Sequence, residues 1–194
     1  MRSSGIVLAA GSSRRMGRPK QLLEVHGRPM LEAVVAQANL SRLDEVVVVL
    51  GANADEIRTR VDLGRARVLV NPHHDTGMAS SLRAGLATLD GSTEVAMVIL
   101  GDQPDIAAGM LDRLLDLQKE SGLPAAALSF AGLLHPPVVL RRELWGEVMS
   151  LEGDVGCRSV IRARPELVAS LPVPERKHPV DVDTPADYER LVQR

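Results

Sequence analysis

The feature that most constrains this chain is a recurrence: short runs of Val, Ile and Leu, each closed by a glycine or turn residue and followed by a segment with helical spacing. "GIVLAA" (5–10), "VVVVLG" (46–51), "ARVLVN" (66–71) and "VAMVIL" (95–100) are the first four. Runs without a polar alternate position suit strands covered on both faces, so the sequence predicts repeated βαβ units and a buried parallel sheet. Helices are expected over "RPMLEAVVAQANL" (28–40), with Leu31, Val34, Val35 and Ala38 on one stripe, over 54–61 and 79–89, and over "IAAGMLDRLLDLQKE" (106–120), with Leu111, Leu114, Leu115 and Leu117 inward. "VAMVIL" is apolar throughout and is expected at the centre of the sheet.

After residue 122 the pattern loosens, and "AAALSF" with "PPVVLRREL" reads as an antiparallel excursion. Helices near 142–150 and 156–163 follow, then a strand in "LVASLPV" and a terminal helix in "TPADYERLVQR" with Thr184 as N-cap, Pro185 at N1 and Asp187 in the first turn. The expectation is one domain over 1–194, an α/β three-layer sandwich with a Rossmann-like, mostly parallel sheet. In such sheets ligands bind beyond the carboxyl ends of the strands.

A formal net charge of -2 in 194 residues argues against a nucleic-acid or membrane-surface partner. The N-terminal apolar run is too short for a signal h-region, and no stretch approaches a membrane span. Cys157 is the single cysteine, which excludes an internal disulfide and a cysteine-based zinc site and fits a reducing, cytoplasmic setting. His73 and His74 are expected as a surface pair, His26 and His178 as solvated, the methionines as core filler, Arg83 as an ordinary exposed helix residue, and Trp145 as a helix anchor against the sheet.

The segment after the first run, "AAGSSRRMGRPK", carries more positive charge than a strand-to-helix loop requires. It matches neither the P-loop spacing nor the G-x-G-x-x-G fingerprint. Ala9, Ala10 and Gly11 would let a ligand approach the backbone, Ser12 and Ser13 offer hydroxyl and amide donors, and Arg15 and Lys20 supply charge. A triphosphate suits that lining, and so does a solvated basic loop.

Leu8, Ala10, Gly11, Ser13, Arg15, Met16, Gly17 and Lys20 together form L-x-A-G-x-S-x-R-M-G-x-x-K, which resembles the signature of the MobA-like nucleotidyltransferases. "GRPML", "GMASSLRAGL", "GDQP", "HPPVV", "GDVGCR" and "DVDTPAD" continue the likeness, and their order resembles the molybdenum cofactor cytidylyltransferases most closely. The resemblance implies a sheet of the nucleotide-diphospho-sugar transferase type and transfer of CMP from CTP to molybdopterin, with release of pyrophosphate. It implies nucleotide contacts at Leu8, Ala9, Ala10, Gly11, Ser12, Ser13, Lys20, Ser80, Ser81, Gly101 and Asp102, and catalytic roles for Lys20, Arg15 and Asp102. Asp102 and Asp183 would hold Mg²⁺, for which carboxylate oxygens are suitable ligands, with Asp181 behind them. Read without the resemblance, Asp102 suits a turn and Asp183 the start of a helix.

His135, Asp154 and Arg158 would border the acceptor. Here Leu134 replaces the family's glycine before His-Pro, and Cys157 its alanine before Arg158. Leu-Ala-Ala-Gly rather than Leu-Ala-Gly-Gly favours CTP over GTP. A guanylyltransferase, another small-phosphate nucleotidyltransferase and a non-catalytic cofactor carrier are the alternatives. An apo molybdenum hydroxylase would receive the product, and a monomer is expected.

Overall fold

The computed structural model describes residues 1–174 and 179–193; His178 and Arg194 lie outside them. β1 (Arg2–Ala9) is followed by a two-stranded ribbon, β2 (Glu24–Val25) and β3 (Arg28–Pro29), which the sequence pattern does not reveal. Then come α1 (Met30–Leu40), β4 (Glu45–Leu50), α2 (Ala54–Arg60), β5 (Arg67–Val70), α3 (Met78–Ala87), β6 (Thr93–Leu100) and α4 (Ala108–Ser121). The chain continues through β7 (Ala125–Phe130), β8 (Leu133–Arg141), α5 (Trp145–Met149), α6 (Cys157–Ala163), β9 (Val168–Pro172) and α7 (Pro185–Val192). No helix among the described residues is long and apolar enough to cross a membrane.

The seven-stranded sheet runs β5-β4-β1-β6-β8-β7-β9, so the apolar β6 takes the central place its sequence predicts. β8 is antiparallel to both neighbours, and every other pairing in this sheet is parallel. The expected antiparallel excursion is therefore one reversed strand inserted between β6 and β7. The chain moves outward from β1 to β4 and β5, then crosses back to β6, which leaves a crevice at the carboxyl ends of β1 and β6.

Alternate strand residues feed the two cores. Val7, Val46, Val48, Met97 and Ile99 pack under α1, α2 and α4, and Ile6, Val47, Val49, Ala96 and Val98 under α3, α5 and α6. β1 begins three residues ahead of its apolar run because its buried polar groups are paired: Ser3 N–H donates to Asp44 at 2.8 Å, and the Ser4 hydroxyl lies 3.2 Å from that of Thr93. On α4 the buried stripe is Leu111, Leu114, Leu115 and Gln118, and Leu117 sits at its margin. Gln118 turns inward because its amide donates to the Leu123 carbonyl just past the helix, at 2.8 Å.

Met16, Met30 and Met97 are core residues, whereas Met78 and Met149 are exposed. Trp145 packs against the sheet and donates to the Leu140 carbonyl at 3.2 Å, with Arg142 over its ring. Thr184 caps α7 in a reciprocal capping box with Asp187.

Two loops at the carboxyl ends of the strands touch backbone to backbone. Gly77 has φ 111° and ψ 172°, a region essentially reserved for glycine, and a Cβ there would lie 2.2 Å from the Gly153 carbonyl carbon. Ala79 N–H then donates to the Gly153 oxygen at 3.1 Å. Gly77→Ala is expected to cost about 2 kcal/mol or more through strain and collision together; urea denaturation measures it.

Candidate active site

Beyond Ala9 the chain leaves β1 in a loop that closes on itself before Lys20. Ser13 adopts φ 53°, and its carbonyl accepts from Met16 and Gly17 N–H at 2.9 and 3.2 Å. The Ser13 hydroxyl accepts from Lys20 N–H at 3.0 Å. Gln21, only 2% exposed, reaches back and donates to the Ala9 and Gly11 carbonyls at 2.9 and 3.0 Å. Met16 is buried with Leu23, Val25 and Met30 beside Val182 and Leu191, so one small apolar cluster fastens the loop to the α7 region.

That cluster explains how residues far apart in sequence meet. Val182 N–H donates to the Asp102 carbonyl at 3.1 Å, setting 181–183 against the end of β6. The Lys20 ammonium donates to both Asp102 and Asp183, to the latter at 3.0 Å. Arg15 forms an ion pair with Asp183 at 3.0 Å. Asp181 accepts from the buried Gln103 amide at 2.6 Å and faces Arg158 at 3.8 Å.

These groups open on a cavity of about 720 Å³. Of the expected nucleotide contacts, Leu8, Ala9, Ala10, Gly11, Ser12, Ser13, Lys20, Ser81, Gly101 and Asp102 lie on its wall, as do Arg15, Asp183 and Asp154. Ser80 does not. Its hydroxyl is turned into the fold, donating toward the His73 and Gly77 carbonyls and accepting from Asn71 at 2.9 Å.

His135 lies on β8 off the wall, and Arg158 reaches the wall only through Asp181. Arg83 is no ordinary exposed residue, because its guanidinium is half-buried and bonds the Leu151 carbonyl. His73 is exposed as expected, but His74 packs so closely on Gly51 that a Cβ there would sit 2.4 Å from its own, and it lines the cavity with Asp75 and Thr76. Gln21, His74 and Asp181 are among the wall residues that sequence reasoning passed over or left in the background, with Arg14, Asp75, Thr76, Gly77, Met78 and Leu100. The one available signal for Gln21 was a polar residue leading directly into "LL".

Comparison with known proteins decides what kind of chain carries this site. The profile of the MobA-like NTP transferase domain matches residues 5–168. The chain belongs to this family. A protein of Paenarthrobacter nicotinovorans named nicotine blue oxidoreductase is 34% identical over 97% of this chain and 96% of its own. Purine catabolism protein PucB of Bacillus subtilis is 29% identical over 96% and 94%. The crystal structure of Rv0371c from Mycobacterium tuberculosis H37Rv superposes with a TM-score of 0.89 at 31% identity, over 100% of this chain and 98% of that one. Rv0371c has also been solved in complex with manganese, with a TM-score of 0.86 and 30% identity over 100% and 99%. Members of the family are nucleotidyltransferases, and this chain is one of them.

The wall of this MobA-like transferase's cavity is acidic as well as basic. Asp75, Asp102, Asp154, Asp181 and Asp183 outnumber Arg14, Arg15 and Lys20 on its wall, so the site is not the purely cationic cradle that the loop suggests. A polyphosphate entering such a cavity needs further positive charge. The carboxylates differ in their titration. Burial pushes the Asp102 carboxyl above its ordinary value, with Lys20 opposing, while Lys20 and Arg15 outweigh burial at Asp183 and hold it below. Burial pulls the Lys20 ammonium down, but the two carboxylates outweigh it and leave its pKa raised. The Cys157 thiol is buried and pushed up to about 12 by desolvation, which removes it as a nucleophile at neutral pH.

The signs give a test. Asp183, held low, contributes stability that is complete above the unfolded carboxylate pKa of about 4 and is lost as pH falls through its folded value. Asp102, held high, costs stability at neutral pH, and that cost disappears as pH falls below the unfolded value. At pH 7.5 Asp183→Asn should lower the urea midpoint, and the loss should shrink as pH falls below about 4.

Proposed function

We propose that the protein transfers CMP from CTP to a molybdopterin-type acceptor, releasing pyrophosphate and giving a cytosine dinucleotide cofactor. The observation that carries this reading is the Lys20 ammonium held between Asp102 and Asp183 at the edge of the Ala9–Ser13 loop. An oxygen of the acceptor's terminal phosphate attacks the α-phosphorus, a new P–O bond forms, and the bond to the bridging β-oxygen breaks. Such a transfer is governed by positioning and charge neutralisation rather than by proton transfer. Arg15 and Lys20 supply cationic charge beside the phosphates, and the loop's amides and hydroxyls orient them.

Asp102 and Asp183 suit a divalent cation. Their oxygens already converge on one positively charged nitrogen, and the donors are hard carboxylates of the kind Mg²⁺ prefers. Bound there, Mg²⁺ would supply charge neutralisation and Lewis-acid polarisation of phosphoryl oxygens. The Ala10 side chain favours a pyrimidine, since its methyl narrows the wall that a purine would press against; one methyl is worth about 1–3 kcal/mol. Asp154, whose carboxylate accepts from Met78 N–H at the start of α3, would border the acceptor. The reaction belongs in the cytoplasm, where a single unpaired cysteine stays reduced. A monomer built as one domain over 1–194 carries it out and hands its product to an apo molybdenum hydroxylase.

Pyrophosphate release measured with each nucleoside triphosphate, Mg²⁺ and reduced molybdopterin tests the reading. CTP should exceed GTP in kcat/KM by about tenfold or more. Preference for GTP would make the protein a guanylyltransferase of the same family. Tight pterin binding without pyrophosphate from any nucleotide would make it a carrier, and turnover of nicotine blue would align it with the named activity of its Paenarthrobacter relative.

Lys20→Ala should lower kcat by about 10²- to 10³-fold or more while the chain still folds. In EDTA the variant's two carboxylates lose their shared cation, so its Tm should fall below that of the wild type. Millimolar Mn²⁺ should restore that Tm and raise the wild-type Tm by less.

A further inference from the structure

Gln21 is a buried side chain between two ends of one loop, and no reading of the reaction assigns it a task. Both of its amide hydrogens are committed, to the Ala9 carbonyl at 2.9 Å and the Gly11 carbonyl at 3.0 Å. Because both partners are carbonyls, the nitrogen must face them, which fixes the orientation of the amide. The Gln21 oxygen faces the Ser13 hydroxyl at 3.4 Å, and that hydroxyl accepts from Lys20 N–H at 3.0 Å. A short chain of hydrogen bonds thus ties the start of the loop to the residue that presents the catalytic ammonium.

The bonds have a directional consequence. In a trans peptide the carbonyl and the following N–H point opposite ways. Drawing the Gly11 oxygen to Gln21 therefore turns the Ser12 N–H to the other side of the loop, where Gly11 and Ser12 are exposed on the cavity wall. The Ala10 carbonyl is taken by Ala52 N–H at 3.2 Å, which turns the Gly11 N–H away from Ala52. Among the described residues, neither Gly11 N–H nor Ser12 N–H donates to a protein acceptor. A Cβ on Gly11 would meet nothing within 4 Å, so the approach to these amides is open. Successive amides freed in this way form an anion-binding concavity.

Resting on the nucleotidyl-transfer reading, we propose that Gln21 is the positioning residue that holds the Ala9–Ser13 backbone in its phosphate-binding form. It acts through the carbonyls it clamps. Gln21→Met keeps the length and removes the donors; Gln21→Glu is nearly isosteric and sets a carboxylate against two carbonyl oxygens.

The experiment measures, for wild type and both variants, the calorimetric affinity for inorganic triphosphate with Mg²⁺, the KM of nucleotide and of acceptor, kcat and Tm. The expected result is a loss of triphosphate affinity of about tenfold or more in each variant, matched by the nucleotide KM, with kcat and the acceptor KM within about threefold of wild type. A role confined to folding would lower Tm and the active fraction and leave triphosphate affinity and nucleotide KM unchanged, and that result would overturn the proposal. Wild-type protein that binds no triphosphate would overturn the nucleotidyl-transfer reading and the proposal with it. Wild-type binding shared equally by both variants would overturn the role of Gln21 alone.

Discussion

One ammonium group shared by two carboxylates holds the architecture of the site together. Lys20 comes from the first loop, Asp102 from the end of the central strand, and Asp183 from the approach to the last helix. Each carboxylate alone at that depth would carry an unbalanced charge, and Lys20 would be costly to bury without them. The apolar cluster of Met16, Leu23, Val25, Met30, Val182 and Leu191 brings the first and last of these segments together, the Val182 N–H ties them to the Asp102 carbonyl, and the ion triad gives their meeting a direction. The site is thus made where three parts of the chain converge, at the crevice that the strand order leaves open.

The same arrangement makes the cavity's acidity intelligible. Its aspartates exceed its cations, so the protein alone is poorly matched to a polyphosphate and better matched to a polyphosphate that arrives with a divalent cation. Asp102 and Asp183 are also set apart by their surroundings: one is half-buried against the strand end, and the other is more open and flanked by Arg15. Two chemically identical side chains therefore answer differently to pH and to loss of charge.

Much of the fold was legible because its signals are local. The unbroken apolar runs of β1, β4 and β6, the stripe of α1 and the capping box of α7 are each written within a dozen consecutive residues. Lys20, Asp102 and Asp183 could be connected only through the family likeness, since nothing local joins residues 163 positions apart. What escaped the sequence depends on partners that are distant or on the backbone. Gln118 and Gln21 are buried polar side chains that bond carbonyls, so their types alone suggest exposure. Ser80 has a type and place that suit a ligand, yet Asn71 and two carbonyls take its hydroxyl. The insertion of β8 between β6 and β7 follows from hairpin pairing across a sheet edge that no pattern in the strand itself records.

The central claim is that the place between Asp102 and Asp183, filled by the Lys20 ammonium in the free protein, is where the reaction's divalent cation binds. Anomalous diffraction at the manganese edge, from crystals grown with Mn²⁺ and a non-hydrolysable CTP analogue, tests it most directly. The account predicts a manganese peak coordinated by oxygens of both Asp102 and Asp183, with the Lys20 nitrogen moved onto a phosphate of the analogue. A manganese peak bound elsewhere, with Lys20 still bridging the two carboxylates beside an occupied nucleotide, would contradict it.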